Sequence, residues 1–197
     1  MDTGRLETFS DGVFAIAITL LILDVRLPSG HASLTHRLGG AWPGYIGYVI
    51  SFLVIGIMWA NHHGIFRLIG RTSHGLVVAN LFLLLCVAFI PFPTTVLADN
   101  LRTGGHDQHV AAIFYSGVFT VTAAFYNLLW QTAARGNRLI VEGSERAAAE
   151  VTRRFRYGAP SYLAATLVAF VSVPASLAID GALALLYILP QREVTPT

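Results

Sequence analysis

Lysine is absent from this sequence of 197 residues, and cysteine occurs once. Only 12% of the residues are charged, where a soluble domain carries about a quarter. The single cysteine excludes a disulfide framework, a cysteine-based zinc site and a CxxC redox pair within one chain. Thirteen arginines against eleven acids leave a net charge of +2, too small for a nucleic-acid-binding surface. With 54% hydrophobic residues and a mean hydropathy of +0.61, the composition is that of an integral membrane protein.

Six apolar stretches predict an all-α membrane fold with six transmembrane helices. A spanning helix needs about 20 apolar residues, because each residue rises about 1.5 Å through a core about 30 Å thick. Pro174 has to separate the last two helices, which together are short for two full spans, so one of them is expected to be short or tilted. The predicted helices form a single domain over residues 1–197, at residues 8–27, 42–67, 75–98, 109–133, 155–173 and 175–190.

The arginines are distributed unevenly between the predicted connections. Cytoplasmic loops retain positive charge, so an even number of spans with both termini in the cytoplasm is favoured over five or seven. The inner side then holds ten arginines and the outer side three: Arg5, Arg67, Arg71, Arg135, Arg138, Arg146, Arg153, Arg154, Arg156 and Arg192 inside, and Arg26, Arg37 and Arg102 outside.

The longest inner connection, residues 134–156, has oppositely charged neighbours at helical spacing, such as Glu150 and Arg154. This pattern predicts a surface helix. We interpret it as a solvated extension of the fourth or fifth helix, with a regulatory site as the alternative.

Ile16, Thr19, Leu20 and Leu23 form a stripe on the first helix at the i, i+3, i+4, i+7 spacing, with Gly12 one turn earlier. One interpretation is a packing seam against other helices. The other is a pore lining, in which apolar rings from symmetry-related helices exclude water and Thr19 supplies a hydroxyl between them. The TVGYG loop of common potassium channels is absent, so such a pore would select ions by another device.

The same helix begins with Arg5-x-x-x-Phe9-Ser10-Asp11, which runs directly into Gly-Val-Phe-Ala-Ile-Ala-Ile-Thr-Leu-Leu. This sequence resembles the first-helix signature of the transmembrane protein 175 family of endolysosomal potassium channels, and in particular its prokaryotic members. The segment Trp59-Ala-Asn61-His62-His63 resembles the polar patch on the family's second helix. The resemblance implies a potassium-permeable, weakly selective cation channel, with sodium and protons as further candidate permeant ions.

The family's eukaryotic members carry the six-helix unit twice, whereas Phe-Ser-Asp occurs once in this chain. The resemblance therefore implies a homotetramer whose four first helices line a central pore. It further implies the plasma membrane of a prokaryote as the location, with membrane lipid and permeant cations as partners and no cofactor.

When the family's pore positions are carried over onto this sequence, the resemblance implies that Ile16 forms the tightest ring of the pore. Thr19 then falls on a hydroxyl-bearing filter position, and Leu20 and Leu23 form apolar rings farther outward. The motif residues are expected to contact polar groups of the second and third helices and so to fix the rotation of the first helix. The expected network is Arg5, Phe9, Ser10 and Asp11 with Trp59, Asn61, His62 or His63, and Asn80.

Three further expectations concern acidic residues in or near the predicted helices. Asp11 could instead cap the start of the first helix. Asp24 is expected at the outer mouth, where four copies could attract cations, or it is a plain interfacial residue. Asp180 is expected near the outer surface, because it follows the Pro174 turn closely.

Two other function classes fit the sequence less well. A secondary transporter of ions or protons would show internal repeats and an ionisable midplane site, and neither is visible in the sequence. A membrane enzyme would need a set of catalytic or metal-binding side chains beyond His62 and His63. These two neighbours project about 100° apart on a helix and cannot both bind one metal from it.

Overall fold

The computed structural model describes residues 3–102 and 104–188, and their regular structure is helical apart from one β-bridge. The predicted all-α fold is therefore confirmed. The helices are α1 (Thr3–Leu20, continued by a 3-10 turn over Leu21–Asp24), α2 (Leu34–Gly40), α3 (Trp42–Phe66), α4 (His74–Phe89), α5 (Pro91–Asn100), α6 (Gly105–Ala134), α7 (Glu145–Phe155), α8 (Gly158–Ala169) and α9 (Val173–Ile188).

In the part of the chain that the structure describes, four stretches are long and apolar enough to cross a membrane: Thr3–Leu23, Trp42–Phe66, His74–Asn100 and Gly105–Ala134. The first begins before the predicted start at residue 8, so the Arg5–Asp11 motif is helical. Asp11 consequently lies in the third turn of α1, and the interpretation of this residue as a cap at the helix start is wrong.

The predicted third helix, residues 75–98, is interrupted at Ile90 in the structure. Pro91 has no N–H to donate, and its ring blocks the helical bond to the carbonyl of Val87. Ile90 N donates instead to Val87 O at 3.2 Å, and α5 resumes when Thr94 N donates to Ile90 O. The two pieces, α4 and α5, together make the 27-residue candidate span.

Of the predicted spans at residues 155–173 and 175–190, the first is shorter in the structure, and the second has 16 described residues but starts two residues earlier. They correspond to α8 with 12 residues and α9 with 16, both below the length that crosses a bilayer straight. The chain starts α8 only at Gly158 because α7 occupies the residues before it, and α9 starts at Val173, next to Pro174. Six full-length spans are thus not confirmed, and the last two helices form a short hairpin.

The surface helix predicted in residues 134–156 is α7. Its apolar side, formed by Ala148, Val151 and Phe155, is buried, while Glu150 and Arg153 lie 3.9 Å apart on its exposed side. The rings of Tyr126 and Phe155 meet edge to face, with centroids 5.2 Å apart. The helix is therefore docked on the end of α6.

The long helix α6 is the centre of the fold and packs against α4, α5, α8 and α9. Its side chains Tyr115, Phe119 and Trp130 are among the largest fully buried ones. α1 packs against α3 and α4 instead, while the α8–α9 hairpin contacts mainly α6. As a result, α1 has one side against the bundle and one side free of it.

Candidate functional site

The first helix is buried on one face only. Leu6, Ser10, Phe14 and Ala17 are buried along the face toward the bundle, and Leu21 continues this line in the 3-10 turn. The predicted stripe occupies the opposite face: Gly12, Ile16, Thr19, Leu20 and Leu23 are all exposed. The exposed fraction is 61% for Ile16 and 67% for Leu23. A packing seam within one chain is therefore wrong as an interpretation of the stripe, which is uncovered in the single chain.

A fully buried polar cluster joins α1 to α3 and α4. Asn80 of α4 lies at its centre: its Nδ2 donates to Ser10 Oγ at 2.9 Å, and its Oδ1 lies 2.9 Å from His62 Nε2. Ser10 Oγ in turn donates to Leu6 O at 2.8 Å. The other ring nitrogen of His62, Nδ1, has no hydrogen-bond partner, and the ring stacks on Phe66 with centroids 4.3 Å apart. Three helices are therefore tied together through one asparagine.

Two further pairs join α1 to α3 at the edge of this cluster. Trp59 Nε1 donates to Asp11 Oδ1 at 2.9 Å, and His63 Nδ1 lies 2.7 Å from Glu7 Oε1. Glu7 is a contact that sequence reasoning missed. Glu7 and Asp11 are four residues apart, and so are Trp59 and His63. Residues four apart lie on the same face of a helix, so this matched spacing indicated that the two helices could face each other through these pairs. The pairs 7–63 and 11–59 set α1 and α3 antiparallel at this level.

The structure brings together six of the nine residues of the predicted network. Arg5 and Phe9 are exposed, and Asn61 lines a small cavity beside Met58 and Tyr126, away from α1. For Asp24, the side chain lies outside the part of the chain that the structure describes. The roles of all these residues in ion conduction remain predictions.

A second polar cluster lies between α6, α8 and α9. Asp180 Oδ2 is 2.6 Å from Ser116 Oγ, which is 3.1 Å from Ser176 Oγ. Ser176 Oγ donates to Ala165 O at 2.9 Å. Asp180 is fully buried in the middle of α9, so the expectation that it lies near the outer surface is wrong.

These features define a multi-pass helical membrane protein. Within the described residues, four helices have the length and composition to span a bilayer. The buried polar side chains on them make hydrogen bonds inside the bundle, as a low-dielectric environment requires: Ser10, Ser51, His62, Asn80, Thr94 and Ser116. Within the described residues, no group of three or more histidine, cysteine, aspartate or glutamate side chains could hold a metal ion.

Comparison with known proteins identifies the family. The family model for the endosomal/lysosomal potassium channel TMEM175 matches residues 5–91. A potassium channel of Streptomyces collinus is 47% identical over 189 residues, which are 94% of this chain and 91% of the relative. The chain belongs to the TMEM175 family, as its first-helix motif predicted.

The relationship extends to a solved structure and to animal proteins. The crystal structure of a lysosomal potassium-selective channel TMEM175 homologue from Chamaesiphon minutus matches with a TM-score of 0.83 and 39% identity, covering 94% of this chain and 95% of that one. The endosomal/lysosomal proton channel TMEM175 of Gallus gallus is 32% identical over 140 residues, covering 66% of this chain and 28% of the relative. The family is one of ion channels and not a class of enzymes.

Proposed function

We propose that this chain forms a potassium-permeable, weakly selective cation channel in a prokaryotic plasma membrane. Four copies surround a central pore, and each contributes the uncovered face of α1. The single observation that carries this proposal is that the Ile16–Leu23 stripe is exposed while the opposite face of the same helix is held by buried hydrogen bonds. The relatives that are named potassium channels support the same activity.

Arg5 lies at the cytoplasmic end of the uncovered face of α1. Arg5 is eleven residues before Ile16, which corresponds to about 20° around the axis of an α-helix. The two side chains thus project from the same side of α1, and both are exposed. At the cytoplasmic end of α1 its guanidinium is hydrated, so the stripe runs from a hydrated end at Arg5 into the apolar level of Ile16.

Ile16 is proposed as the narrowest ring of the pore. Four branched apolar side chains around an axis exclude water at that level, and a constriction of this kind conducts only when it is wetted. Leu20 and Leu23 would form wider apolar rings farther along the same face, with Asp24 as the candidate residue of the outer mouth.

Thr19 is the polar element between these rings. Its hydroxyl donates to Ile16 O at 2.9 Å, so the hydroxyl proton is used within the helix and the oxygen lone pairs remain available to a cation. One ring of four hydroxyl oxygens replaces only part of the hydration shell of a potassium ion. We therefore expect modest discrimination between potassium and sodium.

The polar contacts of α1 are proposed to fix its rotation. Asn80, Trp59 and His63 bond to α1 through Ser10, Asp11 and Glu7, which lie within about one turn of the helix. Turning α1 by one residue, about 100°, would break all of these bonds and move Ile16 off the axis.

Both termini are proposed to be cytoplasmic, with the α8–α9 hairpin completing a six-helix topology.

The test is flux through the purified protein in liposomes, measured for potassium and for sodium against an imposed gradient. Native mass spectrometry of the same sample measures the number of 21.3 kDa chains in the assembly. We expect four chains and a potassium flux that exceeds the sodium flux only moderately. Folded protein that carries neither ion, or that remains a single chain, would contradict the proposal.

A further inference from the structure

Asp180 is a buried carboxyl to which the proposed channel assigns no task. It has no exposed surface and lies near the middle of α9, in the seam with α6 and α8. One carboxyl oxygen, Oδ2, is 2.6 Å from Ser116 Oγ, and the other, Oδ1, has no hydrogen-bond partner. A charged carboxylate with an unpaired oxygen in a membrane interior is a costly arrangement.

Among the described helices around Asp180, no arginine or lysine offsets a carboxylate. The helices packed together here, α3, α6, α8 and α9, contain no arginine or lysine. The titratable group on α6 that interacts with Asp180 is Tyr115, whose hydroxyl lies 3.0 Å from Ser51 Oγ of α3. The only titratable group of α8 is Tyr162, and His109 of α6 contacts Ala169 O at the end of α8. The remaining titratable groups of α3 and α6 are Tyr45, Tyr48, His62, His63, His106, Asp107 and Tyr126.

Counting hydrogens in the cluster distinguishes the two forms of the carboxyl. Three short contacts run in series, from Asp180 to Ser116, from Ser116 to Ser176, and from Ser176 to the carbonyl of Ala165. The two serines supply only two protons, so a carboxylate leaves one contact between two oxygens without a hydrogen. A protonated carboxyl supplies the third proton. Each hydroxyl then donates once in the same direction, and the series ends on a carbonyl that can only accept.

We propose that Asp180 is a proton-binding site, occupied at neutral pH, whose proton completes a hydrogen-bond chain from α9 through α6 to α8. The unpaired Oδ1 is then the carbonyl oxygen of a neutral acid, which is much less costly to bury than a charged oxygen. The bound proton holds the α8–α9 hairpin on α6. This site is separate from the α1 stripe and does not depend on the channel proposal.

The decisive variant is Asp180→Asn, because its amide can donate to Ser116 as the protonated carboxyl does. The thermal unfolding midpoint of the purified protein in detergent is measured from about pH 5 to about pH 9 for wild type and variant. At pH 5 the aspartates of the unfolded chain have already lost most of their protons. As the pH rises from there, and as long as the folded state keeps the proton of Asp180, the wild type should lose about 4 °C per pH unit relative to Asp180→Asn. A difference that stays flat over this range would overturn the proposal.

Infrared spectroscopy reads the proton directly. The chain has six aspartates, and with 13C-labelled aspartate the difference between wild type and Asp180→Asn isolates this one. We expect the C=O stretching band of a protonated carboxyl at neutral pH, and a carboxylate band alone would overturn the proposal. Ser116→Ala should shift this band and lower the unfolding midpoint. Ser161→Ala removes a hydroxyl of α8 that donates to Tyr157 O one turn away, and it should do neither.

A cation in place of the proton is the competing occupant. Replacing choline chloride by sodium chloride or potassium chloride should leave the difference in unfolding midpoint between wild type and Asp180→Asn unchanged. If sodium or potassium raises the midpoint of the wild type and not that of the variant, the site binds a metal cation and the proposal fails.

Discussion

Replacing Asn80 by alanine tests whether the buried cluster anchors α1. Asn80 makes one bond to Ser10 on α1 and one to His62 on α3, and all three side chains are fully buried. Bulk solvent does not reach these side chains in the folded chain. The substitution should therefore weaken both the stability of the fold and the orientation of the pore helix.

The magnitude follows from what each partner loses. Two hydrogen bonds between neutral groups contribute about 1 kcal/mol each. Ser10 keeps its bond to Leu6 O, but His62 is left with neither ring nitrogen paired, which adds about 1–3 kcal/mol. The expected total is about 3–5 kcal/mol, or a drop of about 10 °C in the unfolding midpoint for a chain of this size.

The assay is thermal unfolding in detergent, followed by potassium flux in liposomes. Asn127→Ala is the matched control, because Asn127 of α6 bonds only to Gln131 one turn away and should lose less than about 1 kcal/mol. We expect Asn80→Ala to lose stability well beyond the control and to reduce flux. A loss no larger than that of Asn127→Ala would refute the anchoring role of the cluster.

Two further pairs of substitutions test the contacts of α3 with α1 and with α5. Asp11→Ala and Trp59→Phe remove the two ends of one hydrogen bond, so each should lower tetramer assembly or flux. The double variant should be no worse than either single variant. Additive losses in the double variant would exclude the bond as the cause. Gly47→Ala should gain less stability than Gly56→Ala. Both substitutions gain about 1 kcal/mol of helix propensity. However, a Cβ at position 47 meets Thr94 Cγ2 at 3.2 Å, whereas a Cβ at position 56 meets nothing within 4 Å. Thr94 is held by bonds to Ser51 and Ile90 O, so equal unfolding midpoints would mean that the side chain moves freely.

The helical periodicity of α1 predicted which residues share the uncovered face. Ile16 and Leu23 lie on one stripe because residues seven apart complete nearly two full turns, and this relation holds whatever packs against the helix. Whether that stripe is buried or exposed depends on the neighbouring helices. The sequence therefore left a packing seam and a pore lining as alternatives, and only the fold excluded the seam within one chain.

Features that depend on contacts between distant segments were harder to predict. Glu7 was missed because its partner His63 lies 56 positions away, and a lone acid near a helix start has an ordinary solvated interpretation. The burial of Asp180 was missed because its hydroxyl partners, Ser116 and Ser176, are unremarkable in an apolar helix. The break at Ile90 could have been predicted, since Pro91 and Pro93 stand inside the apolar stretch.

The proposal that the exposed face of α1 lines the pore is tested most directly by replacing Ile16, which forms the proposed narrowest ring, with a polar residue. Ile16→Asn is compared with Leu167→Asn, whose side chain on α8 is 59% exposed against 61% for Ile16 and lies on a helix that packs mainly against α6 and α9. In liposomes, the account predicts that Ile16→Asn raises the flux of potassium at least about tenfold, which corresponds to about 1.4 kcal/mol of barrier, and brings the sodium flux closer to it. Leu167→Asn should leave both fluxes unchanged. Equal behaviour of the two variants, with unaltered flux and ion preference, would contradict the pore.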